Sequence, residues 1–116
     1  MTKPIPTRVH AVLDYMTVGT LIVLPRIAGW DDKVTNLLTA AGGGVLAYSL
    51  LTDYELGAVK VLPMMGHLIL DGMGGALLGG APFLFLADED STVKKALIGL
   101  GLMEIGAALL TQPKPS

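Results

Sequence analysis

The stretch PTRVHAVLDYMTVGTLIVLP, residues 6–25, sets the reading of the whole chain. It is largely apolar, yet a histidine and an aspartate stand four positions apart in it, at His10 and Asp14. That spacing puts both on one face of a helix, a turn apart. The pattern then returns. Shifting the chain by 57 positions matches Pro6 with Pro63, His10 with His67, Asp14 with Asp71 and Pro25 with Pro82, so both halves read P-x3-H-x3-D-x10-P. LLT at 50–52 likewise matches LLT at 109–111, after a second loop two residues longer. Four positions in register and a shared ending mark an internal duplication. Repeat 1 covers about 5–53 and repeat 2 about 62–112 of a single domain, 1–116.

Composition decides what kind of helices these are. The chain is 52% hydrophobic and 16% charged, more apolar than an ordinary soluble domain. Four apolar segments, 8–27, 33–52, 63–86 and 92–111, are separated by the charged stretches GWDDK (29–33), TDYELGAVK (52–60) and ADEDSTVKK (87–95). LLTAAGGGVLAYSLL (37–51) and ALIGLGLMEIGAALL (96–110) lack the polar stripe of a surface helix. At about 1.5 Å per residue each segment covers, or nearly covers, roughly 30 Å of hydrocarbon. The expected fold is all-α, a four-transmembrane-helix bundle of two tandem helical-hairpin repeats. Each hairpin crosses twice, so the halves relate by a parallel pseudo-twofold. Glycines such as the Gly75 and Gly79 pair suit close helix contact.

Several classes are excluded. The absence of cysteine removes disulfides and thiolate metal sites, and a formal charge of −2 without a basic run argues against nucleic acid. No Ser-His-Asp set, phosphate loop or dinucleotide glycine pattern is present, so no enzymatic reaction is expected and no cofactor is called for. The expected surroundings are a lipid bilayer, with a second copy or another membrane protein as further partner. Lys and Arg divide evenly between the two ends of the bundle, and the termini are assigned to the cytoplasmic side.

The segments PTRVHAVLDYMTVGTLIVLP, YSLLTDYELG, LPMMGHLILDGMGGALLGGAPFLF and LIGLGLMEIGAALLT resemble the SPW repeat family of small bacterial membrane proteins. The resemblance covers nearly the whole chain and is most specific in YSLLTDYELG. It implies a four-helix integral protein of the bacterial inner membrane, built of two repeats and without an assigned activity. The Ser-Pro-Trp signature itself is LPR at 24–26 and APF at 81–83, so only Pro25 and Pro82 remain of it.

The polar residues inside the apolar segments are the candidate site. Counted from the helix starts, His10 and His67 lie about 6 Å deep and Asp14 and Asp71 about 12 Å. Glu104, aligned with Val45 of the first repeat, and Tyr48 fall near the same level. A polar layer of His10, Asp14, Tyr48, His67, Asp71 and Glu104 is therefore expected, with each His bonded to the Asp one turn on. Tyr54 is expected at an interface as an aromatic anchor. Three readings of the layer stay open. The first is structural, in a small structural or interaction protein whose Asp side chains hold the His rings. The second is proton or ion handling. The third is a metal site drawing on His10, Asp14, His67, Asp71 and Glu104.

Overall fold

The computed structural model describes residues 3–84 and 86–113; position 85, inside the third predicted segment, lies outside the described residues. Four helices follow one another: α1 (Thr7–Ile27), α2 (Asp32–Leu50), α3 (Met64–Leu84) and α4 (Ser91–Leu110). The boundaries have local causes. Pro6 in extended backbone precedes α1, and the carboxylates of Asp31 and Asp90 cap α2 and α4 by accepting from the Val34 and Val93 amides at 3.0 Å. α1 stops where Gly29 takes φ +68°, a left-handed turn that costs an L residue with a side chain energy.

α1 packs along α2 and α3 along α4, giving two helical hairpins, whereas α2 and α3 meet only lightly. The α3–α4 contact is backbone on backbone. A Cβ added at Gly101 would lie 2.5 Å from the Gly75 carbonyl oxygen and 2.6 Å from the Gly79 nitrogen. In α1–α2 the corresponding close approach is Gly42 against Leu21 and Ile22. The main core joins Val18 and Leu21 of α1, Leu38 of α2, Leu78 of α3 and Leu97 of α4. Outward faces are apolar as well: Ile27, Phe83, Leu84 and Leu109 are mostly exposed.

The hairpins are tied at their shared end by an exchange of backbone bonds. Ile5, before α1, bridges to Thr111, after α4, and Leu62, before α3, bridges to Thr52, after α2. The bonds match position for position: Gln112 N–H donates to Ile5 at 2.9 Å as Asp53 N–H donates to Leu62 at 2.8 Å. Each hairpin therefore begins beside the end of the other.

One expectation is overturned. Among the described residues no helix is long and apolar enough to cross a membrane. The four-helix, all-α arrangement stands, but its transmembrane character and the inner-membrane placement do not. The reason lies in the distribution of residue types. Glycine, at 15 positions of the chain, and threonine dilute the aliphatic residues of the helices and contribute little to transfer into hydrocarbon. Ionisable groups also stand in the helices: Arg8, His10, Asp14 and Arg26 in α1, Asp32 and Lys33 at the very start of α2, His67 and Asp71 in α3, and Lys94, Lys95 and Glu104 in α4.

Candidate functional site

At the tied end, the N-terminal two to three turns of α1 and α3 bring His10, Asp14, His67 and Asp71 together. All four are buried, and one ligand atom of each lies within 4.8 Å of the others. The within-helix pairs expected from the i, i+4 spacing exist, His10–Asp14 and His67–Asp71, each at 3.1 Å. The contacts between helices are closer: His10 Nε2 is 2.7 Å from Asp71 Oδ2, and His67 Nε2 is 2.9 Å from Asp14 Oδ2. Each imidazole therefore faces both carboxylates.

The outer nitrogens fix what the inner ones can be. Thr52 donates its hydroxyl proton to the Tyr48 carbonyl at 2.6 Å, so toward His67 Nδ1, 2.7 Å away, it can only accept. Thr111 does the same, donating to the Ala107 carbonyl at 2.5 Å and accepting from His10 Nδ1 at 2.7 Å. Both rings thus carry a proton on Nδ1 and turn Nε2 toward the carboxylates. A bare Nε2 lone pair against carboxylate oxygens is repulsive, so positive charge must lie between them, either as a proton on each ring or as a cation.

In the protonated form the balance favours charge. Burial alone lowers the His10 and His67 pKa values, but the close Asp14 and Asp71 carboxylates outweigh it and raise them to about 9 and about 8. For Asp71 burial acts upward, and the two histidines with Tyr48 outweigh it, holding the carboxyl at about 2. Even so, the fit is imperfect for a proton. His67 is fully buried, and its Nε2 has oxygens at 2.9 and 3.1 Å, yet neither lies in the direction a hydrogen bond requires.

The carboxylates are held from outside too. Tyr48 donates to Asp71 Oδ1, and Tyr54 donates to Asp14 Oδ2 at 2.7 Å. Burial, the largest cause, and the neighbouring Asp charges push both phenols well above their ordinary range, so both stay donors. Thr7 and Glu55 add a further bond at the rim, 2.7 Å long.

Of the six residues expected in a polar layer, five meet directly. Glu104 stands apart, lining a cavity of about 60 Å³ beside His10, Asp14 and Asp71, with no hydrogen bond or ion pair among the described residues. Burial first, then the charges of Asp71 and Asp14, raises its carboxyl to about 7. Tyr54 is a correction. It is 1% exposed and holds Asp14, because the turn after α2 folds back under the cluster. Thr52 and Thr111 escaped the sequence reading, although the repeated LLT carries them; a threonine closing both helices reads as a hairpin ending until a histidine is seen beneath it. Comparison of the chain with family models, curated proteins and solved structures returned no match, so the SPW repeat resemblance rests on its quoted segments alone.

Proposed function

We propose that this chain binds one divalent transition-metal ion in the His10, Asp14, His67 and Asp71 cluster, and that the ion clasps the two hairpins together. The observation that carries this reading is the pair of Thr-fixed imidazoles aiming Nε2 at two carboxylates. Charge supports it. Two protons or one divalent cation each leave two imidazoles and two carboxylates neutral, so the ion replaces protons without burying net charge. Geometry supports it as well. A tetrahedron of ligands about 2.0–2.1 Å from the ion has edges of about 3.4 Å. The present Nε2–oxygen separations of 2.7–3.1 Å would open by a few tenths of an ångström, and the wider separations within the set, which reaches 4.8 Å, would close toward that value.

Imidazole nitrogen with carboxylate oxygen suits zinc, iron(II) or manganese(II). The threonines and tyrosines supply the outer bonds such ligands need to hold tautomer and orientation. Because each hairpin provides one His and one Asp, the ion would join the repeats at the point where their ends already exchange backbone bonds. The structural role of the layer then follows from the metal rather than competing with it.

The test is a titration of chelator-stripped full chain with Zn²⁺ and Co²⁺. One ion per chain is expected, with the intense visible bands of four-coordinate cobalt. Binding should release close to two protons per ion at pH 7, since both rings, at about 9 and about 8, are then protonated. The sign follows: affinity rises with pH, changing about 100-fold per pH unit below the ring pKa values and levelling above them. Absence of stoichiometric binding at pH 8.5 would overturn the reading.

The outer bonds give an independent prediction. Thr52→Val and Thr111→Val each keep the shape but remove the acceptor for an Nδ1 proton. Each is expected to weaken metal binding by about 10–100-fold. Calorimetric titration at pH 8.5 checks it, with Thr35→Val, whose hydroxyl bonds only the Trp30 carbonyl, expected to bind as the parent does.

A further inference from the structure

The two repeats differ at one place that matters. With the two-residue longer second loop, Tyr48 of α2 corresponds to Ala107 of α4 and Val45 to Glu104. Tyr48 reaches Asp71 and covers that side of the cluster, while Ala107 is too short to do so on the other. The space left over is the cavity of about 60 Å³ against His10, Asp14 and Asp71. One face of a bound ion would look into it, with room for a few atoms of a small polar group.

A larger space lies nearby. Because α2 and α3 barely touch, and Ala40, Ala41, Gly44 and Gly74 are small, a groove of about 410 Å³ runs between them. Its walls are apolar, with Leu37 and Leu78 among them, and Tyr48 and Glu104 are its polar residues, both at the end toward the cluster. Val45 and Glu104 line the groove and the cavity alike. An apolar cleft of this size with a few convergent polar groups at one end is the usual form of a small-molecule site.

We infer that groove and cavity together bind a medium-chain apolar molecule with an oxyanion head, of the fatty carboxylate class. The tail lies along α2 and α3, and the head reaches the uncovered face of the bound ion. This inference rests on the metal-binding reading and goes beyond it by naming what approaches the ion. A bound ion accepts an anionic oxygen that the bare Asp14 and Asp71 carboxylates would repel. Glu104, without a hydrogen bond or ion pair among the described residues, lines both spaces and stands beside the head.

The experiment uses the full chain loaded with Co²⁺ and two probes that share a metal-binding head, acetohydroxamate and octanoyl hydroxamate. The longer probe is expected to shift the cobalt bands at a concentration at least about tenfold lower, because only it has apolar surface to bury in the groove. Gly44→Leu supplies the control. A Cβ at Gly44 meets no atom within 4 Å and Gly44 lines the groove, so the substitution extends into the groove rather than into the backbone. It should leave cobalt affinity and spectrum unchanged and remove the advantage of the longer probe. Equal response to the two probes, or an undiminished advantage in Gly44→Leu, overturns this inference while the metal site stands. A chain that takes up no cobalt overturns both.

Discussion

Replacing His67 with alanine is expected to abolish stoichiometric metal binding and to lower the melting temperature of the metal-free chain by more than about 10 °C. The ring is fully buried and faces Asp14 and Asp71 at 2.9 and 3.1 Å. Its loss leaves two buried carboxylates with one imidazolium, and removing one partner from a buried charge set costs about 3–5 kcal/mol. That is a large share of the stability of a domain this size. The cost should be shared across the hairpins rather than within each helix, because the closest contact is His10 to Asp71. A double-mutant cycle on His10→Ala and Asp71→Asn is therefore expected to lose less than the two single losses added together. Thermal melts of the four proteins without metal measure this. Simple additivity would mean that the quartet is not one interacting unit.

Gly101→Leu is expected to be the most damaging substitution outside the cluster, costing about 4 kcal/mol or more, enough to separate α3 from α4. The added side chain would begin 2.5 Å from the Gly75 carbonyl oxygen and 2.8 Å from Gly79 Cα, and these backbone atoms cannot move aside. Relief requires the two helices to part along their length, which also draws Thr111 away from His10. Metal affinity should fall with stability. Gly99→Ala and Gly106→Ala on the same helix are the comparison, since a Cβ at either meets nothing within 4 Å. Both should hold or raise the melting temperature, as alanine is favoured over glycine inside a helix by up to about 1 kcal/mol. If all three substitutions behaved alike, the close α3–α4 crossing would be wrong.

The sequence by itself determined the helices and carries the repeated P-x3-H-x3-D-x10-P pattern. Pro6, Asp31 and Asp90 open helices where their backbone and capping chemistry requires, and the predicted segments 8–27, 33–52, 63–86 and 92–111 lie within a few residues of the observed ones. The H-x3-D register was equally legible, because residues four apart share a face whatever the helix packs on. Composition misled on the membrane: an average over the chain cannot distinguish apolar length from apolar residues interrupted by glycine and charge. Only the tertiary structure decided the partners. The i, i+4 rule names the Asp one turn away, yet the shortest contacts run from α1 to α3, 61 residues apart in the chain for His10 and Asp71. Thr52, Thr111 and Tyr54 join the site because each hairpin starts beside the other's end, an arrangement made by the Ile5–Thr111 and Thr52–Leu62 bridges. Periodicity fixes the direction of a side chain about its own helix axis. What it meets there depends on where a second helix is placed, and that is set by packing between elements distant in sequence.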